Sequence, residues 1–450
     1  MSTKETIAAI ATAPGEGAIS IIRISGPQSV AIAQKIFSRP VEGFATHTAH
    51  YGKIIDEQGN SLDAVLLTLM RAPKSYTGED SVEISCHGGS LVTQKVLSQV
   101  FKAGAKPAKP GEFSLRAYLN GKIDLAQAEA VQQLIHAKNE LALQAAEKQL
   151  EGALSEKILY FQKEITEIGA IIEASIDFPE DDLAFATVDE LVEKLEAICQ
   201  KMEHLHSTFH HGKMIHTGIS LCLLGSPNVG KSSLMNALLG KERAIVTSIA
   251  GTTRDLLEED LRLGIFHFRL IDTAGIRTTT EVIEKEGILR SKQAMQEADL
   301  ILLLCDASRP LETTDHELLS TVPSEKTILV WNKTDLTPAK SCVDWHTSVA
   351  ISAKNKQGLD CLQKAIEKLL WKKGAPSKEE VTITQLRHHT ALQEAITLCN
   401  VVIKGLKTGV SPELLTSDLR SCLAALGTII GMNVTEDLLS AIFSKFCLGK

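Results

Sequence analysis

The chain has 450 residues, of which 44% are apolar and 23% charged, and its formal net charge is −8. This length provides for about two to four domains with sizeable cores, and the composition is that of an ordinary globular protein. The acidic balance argues against a broad basic surface that grips nucleic acid unaided, so any RNA contact must be local or shared with a partner protein.

Cysteine usage and the longest apolar runs indicate the compartment. The nine cysteines are scattered without a C-x-x-C pair, which excludes the common zinc spacings and suits a reducing compartment. Glu5, Pro14 and Glu16 interrupt any apolar core of a secretory signal. The runs at 300–305 and 424–432 are too short to cross a bilayer. We therefore expect a cytoplasmic protein with no membrane partner.

Residues 1–118 are predicted to form a mixed α+β domain. Residues 19–24 and 64–70 have the apolar, β-branched character of strands, and residues 90–102 have helical apolar spacing. From residue 119 to 215 the pattern changes to long amphipathic helices. The pattern returns over 375–450, so these two stretches are predicted to be the halves of one helical bundle.

Residues 216–374 alternate short apolar runs with helical segments, which predicts a doubly wound parallel sheet. The strand candidates are residues 219–224, 266–271, 300–305, 327–331 and 349–351. In the C-terminal half of the bundle, the helix candidates are residues 384–403, 412–426 and 436–446.

The run from Gly225 to Ser232 fits the pattern G-x-x-x-x-G-K-[ST] and lies between a strand candidate and a helical pattern. The backbone N–H groups of such a loop can surround phosphate oxygens at a helix N-terminus. Lys231 would reach the β- and γ-phosphates, and the Ser232 hydroxyl would ligate Mg²⁺. A chance glycine turn is the alternative for the motif taken alone.

Three further motifs follow strand candidates in the order that a GTPase requires. Residues 272–275 can hold Mg²⁺ through water and contact the γ-phosphate. Asp335, in the Asn-Lys-Thr-Asp run at 332–335, can accept two hydrogen bonds from guanine but would face an acceptor in adenine. Residues 352–354 would close the base pocket. The set resembles the Ras-like P-loop GTPases, so we expect GTP as the nucleotide and a Ras-like domain inserted in the helical bundle.

One residue departs from the Ras pattern. Ile276 stands where Ras-like switches place a glutamine that orients water, and an apolar side chain cannot do so. Asn228 and the run at 251–255 are similar to those of potassium-dependent GTPases, in which K⁺ takes the place of an arginine finger. This resemblance implies that Asn228, Thr247, Ile249 and Thr252 hold K⁺ and that Ser232 and Thr253 hold Mg²⁺. A turn-stabilising role is the alternative for Asn228.

The residues expected to contact the nucleotide form four groups along the chain. They are Asn228, Val229, Gly230, Lys231, Ser232 and Ser233; Thr247, Ser248, Ile249, Ala250, Gly251, Thr252 and Thr253; Asp272, Thr273, Ala274 and Gly275; and Asn332, Lys333, Asp335, Ser352, Ala353 and Lys354.

Motifs outside this domain resemble those of the MnmE (TrmE) family of tRNA-modification GTPases, and the resemblance extends over essentially the whole chain. The matching runs are residues 75–80, 86–89, 111–122 and 446–450. The resemblance implies that Glu284 orients the attacking water. Glu281 and Glu286 are neighbouring alternatives.

The same resemblance implies that the N-terminal domain binds a tetrahydrofolate derivative, 5,10-methylene or 5-formyl. Arg23, Glu83, Lys122 and Lys450 would contact it, although surface charges and the polar face of a strand are the alternatives. Cys447 would take a covalent or general-acid part, since nearby lysines favour its thiolate. The other eight cysteines are expected to be small core residues.

The family resemblance also implies the partners. The chain would form a homodimer and act with MnmG (GidA), an FAD-dependent flavoprotein, in a heterotetramer. Together they would install an aminomethyl or carboxymethylaminomethyl group at C5 of the wobble uridine in tRNA. The competing hypothesis is a ribosome-assembly or switch GTPase that binds RNA without modifying it. The identity of the tRNAs, the choice between glycine and ammonium as donor, the exact role of Cys447 and the coupling of GTP hydrolysis to modification stay open.

Overall fold

Six strands form a sheet in the N-terminal part of the computed structural model, which describes residues 5–177, 186–241, 260–271, 295–338, 345–371 and 380–450. The strands are β1 (Ile7–Ile10), β2 (Ile19–Ser25), β3 (Thr48–Ile55), β4 (Ser61–Met70), β5 (Ser81–His87) and β6 (Lys106–Pro107). Their order in the sheet is β3-β4-β5-β2-β1-β6. Neighbouring strands are antiparallel, except that β1 and β6 are parallel.

Helices α1 (Ser29–Ile36) and α2 (Ser90–Lys102) pack on one face of this sheet, and α3 (Glu112–Leu119) follows β6. Successive side chains of a strand alternate between the two faces. Ile22 and Ile24 are therefore buried in the core with these helices, whereas Arg23 between them lies on the opposite face. Strand register sets Arg23 directly beside Glu83 of β5. The opposite face of the sheet consequently carries a charged pair.

Four helices come next, namely α4 (Leu125–His136), α5 (Glu140–Leu150), α6 (Ala153–Asp177) and α7 (Val188–Ser207). Buried isoleucines on α6 keep helical spacing, at Ile158, Ile165, Ile168 and Ile172. Their side chains therefore form one apolar stripe that faces the core of the bundle.

A second six-stranded sheet follows α8 (Phe209–Thr217). Its strands are β7 (Ile219–Leu224), β8 (Asp260–Leu263), β9 (Phe266–Ile271), β10 (Leu300–Asp306), β11 (Thr327–Asn332) and β12 (Ser348–Ala350), in the order β12-β11-β10-β7-β9-β8. Among the described strands of this second sheet, only β8 is antiparallel to its neighbour. The helices of this region include α9 (Lys231–Lys241), α10 (Thr313–Thr321) and α11 (Leu359–Leu370).

The central strands of the second sheet are buried on both faces. Leu300, Leu302 and Leu304 of β10 belong to one apolar cluster, and the alternate residues Ile301 and Leu303 belong to another. A parallel sheet covered on both faces has this uninterrupted apolar sequence. The arrangement is the doubly wound α/β fold that the sequence predicts.

The chain ends in three helices, α12 (Leu386–Thr408), α13 (Pro412–Ile430) and α14 (Glu436–Phe443). Helix α13 packs against both α12 and α6, so helices from either side of the second sheet in the sequence share one bundle. None of the described helices is both long and apolar enough to cross a membrane.

The described part of the chain divides into two compact units. One contains the first sheet with α4, α6, α7 and α12 to α14, and the other contains the second sheet with α8 to α11. The predicted fold class, an α/β domain inserted in a helical bundle and preceded by an α+β domain, is confirmed. The boundaries 1–118, 119–215, 216–374 and 375–450 stay a prediction.

Candidate active site

The phosphate-loop motif lies directly after β7, at the carboxyl end of the parallel sheet, and leads into α9. Gly225 has a φ of +147°, and a Cβ there would come within 2.4 Å of the Leu304 carbonyl oxygen. Asn228 has a φ of 61°, in the left-handed region that asparagine tolerates better than most residues. The hydroxyl-bearing Ser232 and Ser233 are exposed in the first turn of α9. The loop is therefore shaped by backbone requirements, and its first helical turn is accessible.

Lys231 bends back over this loop. Its Nζ donates to the carbonyl oxygens of Gly225 at 2.6 Å and Ser226 at 3.0 Å. Burial lowers the pKa of Lys231, and no carboxylate among the described residues forms an ion pair with it. A partly buried ammonium with carbonyl partners fits a site that accepts the negative charge of phosphates.

Asn332 links three loops of the site. Its Nδ2 donates to the Val229 carbonyl oxygen at 2.8 Å, and its Oδ1 accepts from the Ala353 N–H at 3.0 Å. Asn332 is only 2% exposed, so these two hydrogen bonds satisfy a buried amide. One side chain thus connects the phosphate loop with both segments predicted to contact the base.

Asp335 lies exposed beside the predicted base pocket, and its Oδ1 accepts from the Ser352 hydroxyl at 2.6 Å. This hydrogen bond is the main reason why the pKa of Asp335 lies below its ordinary value, so the carboxylate is ionised at neutral pH. Lys354, two residues after Ser352, is exposed, and its charge also lowers the pKa of Asp335. The carboxylate is available to accept from a ligand.

Two carboxylates of this region were not predicted from the sequence. Asp306, at the end of β10, accepts from Lys333 Nζ at 2.6 Å. Asp315, in the first turn of α10, accepts from the Ser226 hydroxyl of the phosphate loop. An acidic residue directly after an apolar strand was the available signal for Asp306. Asp315 gave no signal beyond helix capping.

The remaining predicted nucleotide and metal contacts lie outside the described residues. These are Thr247, Ser248, Ile249, Ala250, Gly251, Thr252, Thr253, Asp272, Thr273, Ala274, Gly275 and the predicted catalytic Glu284.

A second group of predicted residues meets on the first sheet. Arg23 Nε donates to Glu83 Oε1 at 2.9 Å, and Arg23 Nη1 donates to the Gly449 carbonyl oxygen at 3.4 Å. The guanidinium also lies 5.5 Å from the ring centre of Tyr76 and 5.7 Å from that of Phe113. Phe113 is fully buried, so the half-buried Tyr76 is the accessible ring of the two. A charged pair beside an aromatic ring is suited to a flat heterocycle with polar edges.

The last residues of the chain pack closely onto β1. A Cβ at Gly449, which has a φ of +89°, would come within 2.2 Å of the Ile10 carbonyl oxygen. Burial lowers the pKa of Lys450, and the nearby positive charge of Arg23 lowers it further, while Glu83 and Cys447 act in the opposite direction. The predicted residues Arg23, Glu83, Lys450 and Cys447 are thus brought into one neighbourhood.

Lys122, also predicted to contact the folate, is not joined to this group. Lys122 donates to the Pro73 carbonyl oxygen at 3.2 Å, and no hydrogen bond or ion pair of the described residues joins it to Arg23, Glu83 or Lys450.

Cys361 is exposed, so the expectation that all cysteines other than Cys447 are core residues is wrong. Cys361 lies on the outer side of the amphipathic helix α11, whose buried side is formed by leucine and isoleucine.

The second sheet, its phosphate loop and its base-recognition motifs define a class of protein. A parallel sheet that carries these motifs at the carboxyl ends of β7, β11 and β12 is a P-loop GTPase domain.

Comparisons with known proteins agree with this class and narrow it. The model of the MnmE helical domain matches residues 125–447, and that of the GTP-binding protein TrmE N-terminus matches residues 6–122. The tRNA modification GTPase MnmE of Protochlamydia amoebophila (strain UWE25) is 58% identical over 447 residues, which cover 99% of this chain and 98% of that protein. Its counterpart from Chlamydia pneumoniae is 46% identical over 450 residues and the full length of both. The chain belongs to the MnmE family of tRNA modification GTPases.

One matching solved structure is Era in complex with MgGDPNP and nucleotides 1506–1542 of 16S ribosomal RNA. The matched region is 30% identical, covers 40% of this chain and 66% of the Era chain, and has a TM-score of 0.27. A TM-score this low does not by itself establish a common fold.

Proposed function

We propose that this chain is a potassium-dependent GTPase that modifies tRNA together with the flavoprotein MnmG (GidA). The reaction is the installation of an aminomethyl or carboxymethylaminomethyl group at C5 of the wobble uridine, with the one-carbon unit taken from a tetrahydrofolate derivative, 5,10-methylene or 5-formyl. The chain works as a homodimer within a heterotetramer with MnmG. Because its substrate is tRNA, we also propose that it acts in the cytoplasm.

The observation that carries this proposal is the position of the C-terminal segment against the first sheet. Arg23 pairs with Glu83 and also binds the backbone of Gly449, two residues from Cys447. A nucleophilic side chain thereby comes near the Arg23–Glu83 pair and the ring of Tyr76. A GTPase that only switches between conformations has no need of that arrangement.

The folate would be held by the residues of this surface. Glu83 is suited to the amine edge of a pterin, and the cations of Arg23, Lys122 and Lys450 are suited to the carboxylates of a glutamyl tail. When bound, the folate supplies a one-carbon unit at the oxidation level of formaldehyde or formate. Cys447 is the group of this chain that we assign to the reaction, in a covalent or general-acid part.

In the nucleotide site, Lys231 binds the phosphates and Asp335 reads the guanine. Ser232 and Thr253 would hold Mg²⁺, and Asn228, Thr247, Ile249 and Thr252 would hold K⁺. The two cations supply positive charge where negative charge develops on the phosphates. Glu284 would orient the attacking water in place of the glutamine that Ile276 replaces.

The tRNA chemistry can be tested in cells that lack this chain. Their tRNA, analysed by nucleoside mass spectrometry, should carry unmodified wobble uridines, because this chain is the proposed source of the C5 substituent. Complementation with wild type should restore the modification, and complementation with Cys447→Ser should not. Purified Cys447→Ser should still hydrolyse GTP.

Cys361 provides a matched control, since it and Cys447 are the exposed cysteines of the described residues. Cys361→Ser should restore the modification fully. If the deleted strain carries the same wobble-uridine modification as the wild-type strain, the proposal is refuted. That result would favour an RNA-binding GTPase without modification chemistry. If the Cys447→Ser variant restores the modification, the Cys447 thiol has no essential part in the reaction.

The potassium requirement can be measured directly. GTP hydrolysis should be at least about tenfold faster in KCl than in NaCl at equal ionic strength, because one correctly placed charge has an effect of this order or more on a phosphate transition state. Asn228→Gly keeps a backbone that is at ease at a φ of 61° while removing the side-chain oxygen. In this variant the rates of GTP hydrolysis in KCl and NaCl should be nearly equal. Equal rates of the wild type in both salts would exclude the potassium role.

A further inference from the structure

The phosphate loop is tied to helix α10 by a buried carboxylate. Asp315, which is 2% exposed, accepts from the Ser226 hydroxyl with an Oδ1–Oγ distance of 2.5 Å. Ser226 Oγ also lies 2.9 Å from Thr314 Oγ1. The hydrogen bond joins positions 89 residues apart in the chain, so it is a tertiary contact and not a feature of the loop itself.

Asp315 is itself held rigidly. Its Oδ2 accepts from the backbone N–H of Glu312 at 3.0 Å, as part of the capping box that begins α10. Arg309 Nη2 lies 3.4 Å from the same oxygen and compensates the buried negative charge. Because the Glu312 N–H and Arg309 also hold this carboxylate, Ser226 is bound to an acceptor that cannot easily follow a movement of the loop.

The tether has a consequence for the residue two positions further on. The next fixed point of the loop is the Val229 carbonyl oxygen, which accepts from Asn332 Nδ2 at 2.8 Å. Only Pro227 and Asn228 lie between the two fixed points, and proline has a fixed φ. Asn228 must therefore take up its left-handed conformation between two anchored ends, and this fixes the direction in which its Cα–Cβ bond leaves the loop.

We propose that Asp315, acting through Ser226, is a positioning residue for Asn228 and thereby sets the affinity of the GTPase site for its activating cation. This rests on the potassium role proposed for Asn228. The expected signature is a changed cation dependence, since neither Asp315 nor Ser226 has to touch the cation.

The test uses two variants of the full-length chain, Ser226→Ala and Asp315→Asn. Ser226→Ala removes the tether and leaves the capping box and Arg309 in place. Asp315→Asn removes the charge but keeps an oxygen that can accept from Ser226. Its half-activating potassium concentration should therefore change less than that of Ser226→Ala. GTP hydrolysis is measured against KCl concentration, with choline chloride holding the ionic strength constant, and GTP affinity and thermal unfolding are measured in parallel.

For Ser226→Ala we expect the half-activating potassium concentration to rise about tenfold, because a displacement of a catalytic group by about 1 Å can reduce rates a hundredfold. GTP affinity should change much less, and saturating KCl should restore much of the rate. Ser226→Thr, which keeps the hydroxyl, should retain more of the wild-type potassium response than Ser226→Ala.

A merely structural role predicts a different result. The rate would then fall by one factor at every KCl concentration, with an unchanged midpoint, and this outcome in both variants would overturn the proposal. Wild-type enzyme that is not activated by potassium would overturn the potassium role and this inference with it. The first result refutes the tether alone, and the second refutes the proposed function.

Discussion

Replacing Asp335 with asparagine is expected to abolish the preference for guanine and to shift it toward xanthine. The wild-type carboxylate, held by Ser352, can accept from both the N1–H and the 2-amino group of guanine. An asparagine side chain has an N–H₂ where one of those acceptors was, and it would face a second donor on guanine. Xanthine has an oxygen at C2 and matches the asparagine. Guanine affinity should fall by about 10⁴-fold, since a site whose polar groups are left unpaired discriminates by roughly 10⁴–10⁵.

The measurement is equilibrium binding of GTP, xanthosine triphosphate and ATP to wild type and Asp335→Asn. Asp437→Asn is the matched control, because Asp437 is an exposed aspartate of α14, in the other compact unit. It should bind all three nucleotides as wild type does. If Asp335→Asn keeps its preference for GTP, the base is recognised by other residues and the assignment of the 332–335 motif is wrong.

The second sheet could be predicted from the sequence because its strands are parallel and buried. Strands β7 and β9 have the predicted bounds, and β10 and β11 each run one residue beyond them. Burial on both faces makes such strands uninterrupted apolar runs, which are easy to recognise. Helix α2 is likewise confirmed at residues 90–102, since its apolar spacing is regular.

The first sheet was predicted only in part, because its antiparallel strands are buried on one face. Strand β3 has exposed residues at Ala49 and Tyr51 and no continuous apolar run. Strand β6 consists of Lys106 and Pro107, and its pairing with β1 decides its conformation more than its own composition does. Such strands depend on partners distant in sequence, which a local pattern does not contain.

The candidate site, too, could be predicted only in part. Residues within the contiguous motifs, such as Lys231 and Asn332, could be predicted because the motif itself fixes their relation to the nucleotide. The partners of these motifs could not, because the contact between Asp315 and Ser226 is made only once β10 and β7 pair. The sequence near Asp315 has the capping residues of a helix start, and nothing in it shows that the carboxylate also accepts from Ser226.

Replacing Glu129 with glutamine should strongly destabilise the helical bundle. Glu129 of α4 is 5% exposed. Its two carboxylate oxygens accept from Arg387 at 3.1 Å and 2.8 Å, and His388 Nε2 lies 2.8 Å from the second. Arg387 also donates to the Ile429 carbonyl oxygen at 3.1 Å, near the end of α13. The cluster around this carboxylate therefore links α4 to α12, 258 residues further along the chain, and to α13.

The expected loss is about 3–5 kcal/mol of unfolding free energy, because removing one partner of a buried ion pair leaves the other charge uncompensated. Denaturant unfolding followed by circular dichroism would measure it. Glu173→Gln is the control, since Glu173 pairs with Arg420 at 2.7 Å on the surface, where both side chains are well exposed. It should lose less than about 1 kcal/mol. Equal losses in the two variants would show that the buried cluster does not stabilise the bundle.

The pH dependence of the same pair of proteins gives an independent check. Burial alone would raise the pKa of Glu129, but His388 and Arg387 outweigh it and hold the pKa at about 2, below the ordinary value of 4.5. A carboxylate with a lowered pKa contributes stability that is fully present above its unfolded value and is lost as the pH falls toward its folded value. The difference in unfolding free energy between wild type and Glu129→Gln should therefore shrink as the pH falls from about 4.5 to 2. A difference that stays the same throughout that interval would mean that the ionised carboxylate is not what stabilises these helices.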